Sequence, residues 1–191
     1  MMDYSLPKSF RFGERDFCIR YDFRPILDIC AALEDPDLDL KEKTIVACSI
    51  FYPDFEQIPE EYLQEAVQKC YWFINGGEEN PQKKGPRLVS WEKDVKHIIA
   101  PINRIMGREI RDIPEGGLHW WSFLAAYMEI GDCTFAQIVR IRNLMTKGKK
   151  LDKHDREWYR QNAHLVNIPM RLSQEERDFL AARSGRKEGA E

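Results

Sequence analysis

The chain has 191 residues, 43% of them hydrophobic and 32% charged, so it can bury a core without disulfides or metals and is too apolar for a disordered polymer. Its 29 Lys and Arg against 32 Asp and Glu leave a formal charge of -3, which excludes a global positive field for nucleic acid or an anionic membrane. No stretch approaches the ~20 uninterrupted apolar residues of a membrane span, and the first residues lack the long apolar run of a signal peptide.

Residues 10–21 alternate apolar and polar positions around Gly13, with Phe10, Phe12, Phe17, Ile19 and Tyr21 in phase, which predicts a small β-hairpin. Two strands are marginal alone in water, so the hairpin must pack on something, and the rest of the chain reads as helical. Asp22 is a candidate N-cap for a first helix with Pro25 in its first turn and Ile26, Ile29, Cys30 and Leu33 on one stripe, ending before Pro36. A second helix covers about residues 39–51, with Leu40, Thr44, Ala47, Cys48 and Phe51 in phase, and stops near Pro53. Pro59, Glu60 and Glu61 open a third, in which Tyr62, Leu63, Ala66, Val67, Cys70, Tyr71 and Ile74 keep the helical repeat up to Asn75, Gly76 and Gly77.

Residues 75–86 hold three glycines, two prolines and no apolar side chain, the signature of a linker. It separates residues 1–80, the hairpin plus helices, from a helical part over residues 81–191, the two expected to pack as one compact unit with residues 184–191 as a flexible tail. Ser90 is expected to cap the next helix, where Trp91, Val95, Ile98, Ile99, Ile102, Ile105 and Met106 give the strongest helical period, Pro101 predicts a kink and Gly107 closes the element. In residues 118–130 ten of thirteen side chains are apolar or aromatic, which predicts a helix buried on nearly all sides. Phe135, Ile138, Val139, Ile141, Arg142 and Met145 carry a further helix to residues 146–150, residues 155–166 another, and Ser173 with Glu176 forms a capping box ahead of Phe179 and Leu180. The fold class that follows is mainly α, a multi-helix bundle of six to eight helices with a small N-terminal β-hairpin.

Signatures of chemistry are sparse. Thr146-Lys147-Gly148-Lys149-Lys150 has the lysine of a phosphate loop but neither the preceding glycines nor the metal-binding hydroxyl, and no nucleophile elbow, paired-histidine zinc motif or dinucleotide turn occurs. His97, His119, His154 and His164 have no His or Cys at helical ligand spacing, which leaves Asp152, His154 and Asp155 as a charged helix start; His119 reads as an imidazole satisfied by nearby backbone. The five cysteines, an odd set with no close pair, read as buried thiols of a reducing compartment. Arg140, Arg142, Lys147, Lys149 and Lys150 form a candidate basic patch, although no aromatic is interleaved for base stacking and a solvated loop is the plainer reading. Trp120, Trp121, Phe123, Leu124, Tyr127 and Met128 stand out more, as core on one side and a candidate partner-binding surface on the other.

Leu118-His119-Trp120-Trp121-Ser122-Phe123, then Tyr127-Met128-Glu129-Ile130-Gly131-Asp132-Cys133, Phe135, Ile138, Ile141-Arg142 and Lys147-Gly148-Lys149-Lys150-Leu151, resemble the bacteriophage gene-product-fifteen family of tail gene clusters in phages and prophages of Gram-positive bacteria. The likeness extends over most of the chain to about Val166. It implies a non-enzymatic tail assembly chaperone in the host bacterial cytoplasm that binds the tape-measure protein and brings major tail protein to it, with no catalytic, cofactor or metal-binding residues. The family likeness leaves homo-oligomerisation open. A virion structural component, such as a tail or head-tail connector subunit, is the alternative, and a nucleic-acid-binding regulator using the basic patch is a third.

Overall fold

A computed structural model describes residues 5–79 and 85–168, together with Ser173, Gln174, Glu176 and Asp178. Strands β1 (Ser9–Phe12) and β2 (Arg15–Cys18) form the antiparallel hairpin, with Phe10 opposite Phe17 and Phe12 opposite Arg15. Its turn needs Gly13, whose φ of 61° suits glycine and whose missing Cβ leaves room for the Tyr62 ring. Phe12 and Phe17 are buried, and Phe12 packs edge-on against Tyr52, so the hairpin's apolar side lies on the helices as its weak independent stability requires. Ile19 N donates to Lys8 O and Arg20 N to Phe51 O, which extends the attachment beyond the strands.

Seven α-helices follow among the described residues: α1 (Phe23–Leu33), α2 (Leu40–Phe51), α3 (Leu63–Ile74), α4 (Trp91–Met106), α5 (Trp120–Met128), α6 (Thr134–Thr146) and α7 (Lys153–Val166). None is long and apolar enough to cross a membrane. Their starts follow local chemistry. Asp22 accepts from Arg24 N at the head of α1, and Asp39 and Glu42 form a reciprocal capping box at the head of α2. Asp152 accepts from Asp155 N at the head of α7, three residues before the expected start. Ser173 and Glu176 close the predicted box, each accepting from the other's backbone N–H. Phe179, Leu180 and the 184–191 tail lie outside the described residues, as do linker residues 80–84.

One core runs from the hairpin to α6, and α1 sits at its centre, packed on α2, α4 and α5. The heads of α1 and α5 are joined by a two-residue antiparallel bridge: Phe23 N donates to Leu118 O and Trp120 N to Tyr21 O. Asp22 serves both sides, because its carboxylate also accepts from Gly116 N at 2.9 Å.

Pro101 lies inside α4, which continues to Met106, and is buried. Other expectations are corrected by this packing. The 118–130 helix is shorter and less enclosed: α5 keeps Trp120, Phe123 and Ala126 inside, whereas Met128 is 82% exposed. Cys48 and Cys70 are buried, but Cys18 is exposed and Cys30 and Cys133 are only partly covered. In α3 the deepest ring is Phe73, one position off the predicted stripe, because it fills the space between Phe51 and Trp121.

Candidate functional site

Each predicted partner-binding residue of α5 has a definite place. Trp120 is 1% exposed and donates from Nε1 to Ile74 O at 2.9 Å. Trp121, half-buried, donates from Nε1 to Phe73 O at 2.9 Å and meets Trp72 edge-on at 5.2 Å. Phe123 is fully buried and stacks on Phe23, with ring centroids 5.0 Å apart. The indole N–H groups thus satisfy the carbonyls at the end of α3, where Gly77 at φ 90° lets the chain pass the Trp121 ring. Leu124 and Tyr127 are half-buried and Met128 is exposed, so only the last turn of α5 faces outward. Trp120 and Phe123 therefore belong to the core, whereas Trp121 is tied to α3 by its indole N–H and keeps part of its ring open.

His119 explains how α5 starts. Its Nδ1 accepts from Trp121 N at 3.0 Å, leaving Nε2–H to donate to Pro7 O at 2.9 Å. Both ring nitrogens are satisfied by backbone, and burial pushes the imidazole pKa down.

The basic patch separates into different environments. Arg142 is 5% exposed and spends all five guanidinium N–H donors inside: two on Asp94 at 2.5 and 3.0 Å, the others on Leu88 O, Leu165 O and Val166 O. It therefore cannot join a surface patch, because exposing it would strand Asp94 without its counter-ion. Arg140 pairs with the buried carboxylate of Asp155. Lys147, Lys149 and Lys150 remain exposed in the turn after α6. The Asp94–Arg142 pair fastens α4, α6 and the end of α7 together, a role that the sequence reading missed. Its signal is visible in retrospect: Arg142 is in phase with Ile138, and Asp94 with Trp91 and Ile98, so both charges lie on apolar stripes of their helices. Among the described residues no group of three His, Cys, Asp or Glu side chains is arranged to hold a metal ion.

A different surface emerges between α1 and α4. Phe23, Leu27 and Ala31 on α1 and Trp91, Val95 and Ile99 on α4 are two rows at i, i+4, i+8, and they line a cleft of about 450 Å3. Phe23 and Ile99 are buried, closing the floor at one end, while Leu27, Ala31, Trp91 and Val95 are partly open. Trp91 links the cleft to α5, with its ring 6.1 Å from Trp120 and 5.3 Å from Tyr127. Arg24, Asp28, Glu92, Lys96 and Arg111 form the rim. The cleft thus combines an apolar floor, a mixed charged rim and two helical walls.

No curated protein and no solved structure matches the chain. A family model does, the bacteriophage Gp15 protein, over residues 2–168. That span takes in the hairpin, all seven α-helices and both walls of the cleft, and the chain belongs to the bacteriophage Gp15 protein family.

Proposed function

We propose that this protein is a phage or prophage tail assembly chaperone, a non-enzymatic helper that binds the tape-measure protein in the host bacterial cytoplasm and promotes tail assembly. The α1/α4 cleft is the observation that carries the reading: its two apolar rows of three side chains, flanked by charges, suit one turn after another of an amphipathic helix. Membership of the Gp15 family supplies the phage setting. A tape-measure protein, long and helical, would present apolar stripes until tail subunits enclose it, and many modest contacts along it give avidity without a single irreversible site. The nucleic-acid reading loses support because Arg140 and Arg142 are engaged by Asp155 and Asp94.

Co-expression with the tape-measure protein encoded nearby tests the proposal. The expected result is soluble tape measure that co-purifies with this chain. Insoluble tape measure with no complex would contradict it. Stoichiometric amounts of this chain in purified particles would favour the virion-component alternative.

A further inference from the structure

The charges around the α1/α4 cleft are ordered along its axis. Two contacts fix the relative direction of its walls. Glu34, at the end of α1, pairs with Arg87 just ahead of α4 at 2.5 Å, and Arg24, at the start of α1, donates to Ile110, Arg111 and Ile113 carbonyls just beyond α4. The helices are thus antiparallel, with Phe23 toward Ile99 and Ala31 toward Trp91. In axial order the rim runs Arg111, Arg24, Lys96, then Asp28 and Glu92: cations at the closed end, anions at the open one. Arg24 is largely consumed by Asp22 and the three carbonyls, so Lys96 and Arg111 lead the positive end. Arg111 keeps its outer face available although it pairs with Glu109, since its side chain is 69% exposed.

We infer that the cleft recognises an amphipathic α-helix bearing apolar side chains at i, i+3 or i+4, and i+7, with acidic residues at the end lying against Lys96 and Arg111 and basic residues at the end lying against Asp28 and Glu92. This rests on the chaperone reading and deepens it by naming the chemistry of the bound segment. The apolar rows supply the attraction, and the ordered rim rejects stripes of one sign, since a like charge set against either end is unfavourable. Because Asp28, Glu92 and Lys96 are exposed, substituting them leaves the core untouched.

Three synthetic helical peptides sharing one apolar stripe test this, with flanking residues all Glu, all Lys, or Glu at one end and Lys at the other, titrated against the full chain. The mixed peptide should bind about tenfold tighter than either uniform one. Asp28→Lys with Glu92→Lys should move the preference to the all-Glu peptide, and Val95→Gln or Leu27→Gln should weaken all three while the far-UV spectrum stays unchanged. Equal binding of the three, no binding of any, or a preference unmoved by the charge reversal would overturn the inference. Tape-measure co-purification that persists with Val95→Gln would do so too while leaving the chaperone reading intact, and loss of co-purification by the unmodified chain would strike that reading instead.

Discussion

Arg142 and Asp94 show how far a charged side chain's role depends on which helix face it occupies. Both are buried, and Asp94 also accepts from Ser90 N at 2.9 Å, so the pair is fully hydrogen-bonded and closes the head of α4. Removing one partner leaves the other charged and dry. Asp94→Ala should cost on the order of 3–5 kcal/mol in chemical denaturation, and Asp94→Leu with Arg142→Met should recover most of that loss. A single substitution that costs no more than a surface pair would show the site to be solvated. His119 makes a pH prediction. Its folded-state pKa lies below the ordinary 6.5 because the ring is buried, so the unfolded chain takes up the proton first. The stability it contributes is full above that value and is lost as pH falls from there toward the depressed one. His97 is shifted in the same direction, again chiefly by burial. Melting temperatures should therefore drop as the pH falls below about 6.5, less steeply for His119→Asn, which keeps a capping oxygen for Trp121 N; identical slopes would remove His119 as the cause.

Helix α5 is where the legibility of the sequence divides most clearly. Its aromatic density announced deep burial, and Trp120 and Phe123 obey. What pattern alone could not supply is the pair of indole N–H bonds to Phe73 O and Ile74 O, since their acceptors end a helix 46 and 48 residues earlier in the chain. Trp121→Ala removes a ring and one of those bonds, so it should destabilise by about 3 kcal/mol in a thermal or urea melt. A folded, equally stable Trp121→Ala protein with impaired partner binding would instead return this residue to the binding surface. The hairpin and the cap at Asp22 were readable because their signals are local: alternation about a glycine, and a short acidic side chain ahead of an apolar repeat. The head of α6 was not, because its cap is a thiol: Cys133 Sγ accepts from Ala136 N at 3.5 Å, a weak acceptor outside the usual capping set.

The proposed binding surface belongs to no single helix, because the cleft exists only where α1 and α4 meet. The α1 stripe of Ile26, Ile29, Cys30 and Leu33 marks the face turned to the core, and Leu27 and Ala31 fall beside it. On α4 the apolar repeat is wider than the buried face, and the surplus, Trp91 and Val95, becomes the opposing wall. A cleft of this kind depends on two helices meeting, which sequence periodicity cannot foresee. On the proposed reading the α1/α4 cleft, and not the outward turn of α5, holds the tape-measure protein. Site-specific photo-crosslinking tests it most directly, with a photoreactive amino acid placed at Leu27 or at Met128 in cells that also express the tape measure. Capture of the tape measure from position 27 and not from 128 is the predicted result; capture from 128 alone would contradict the account.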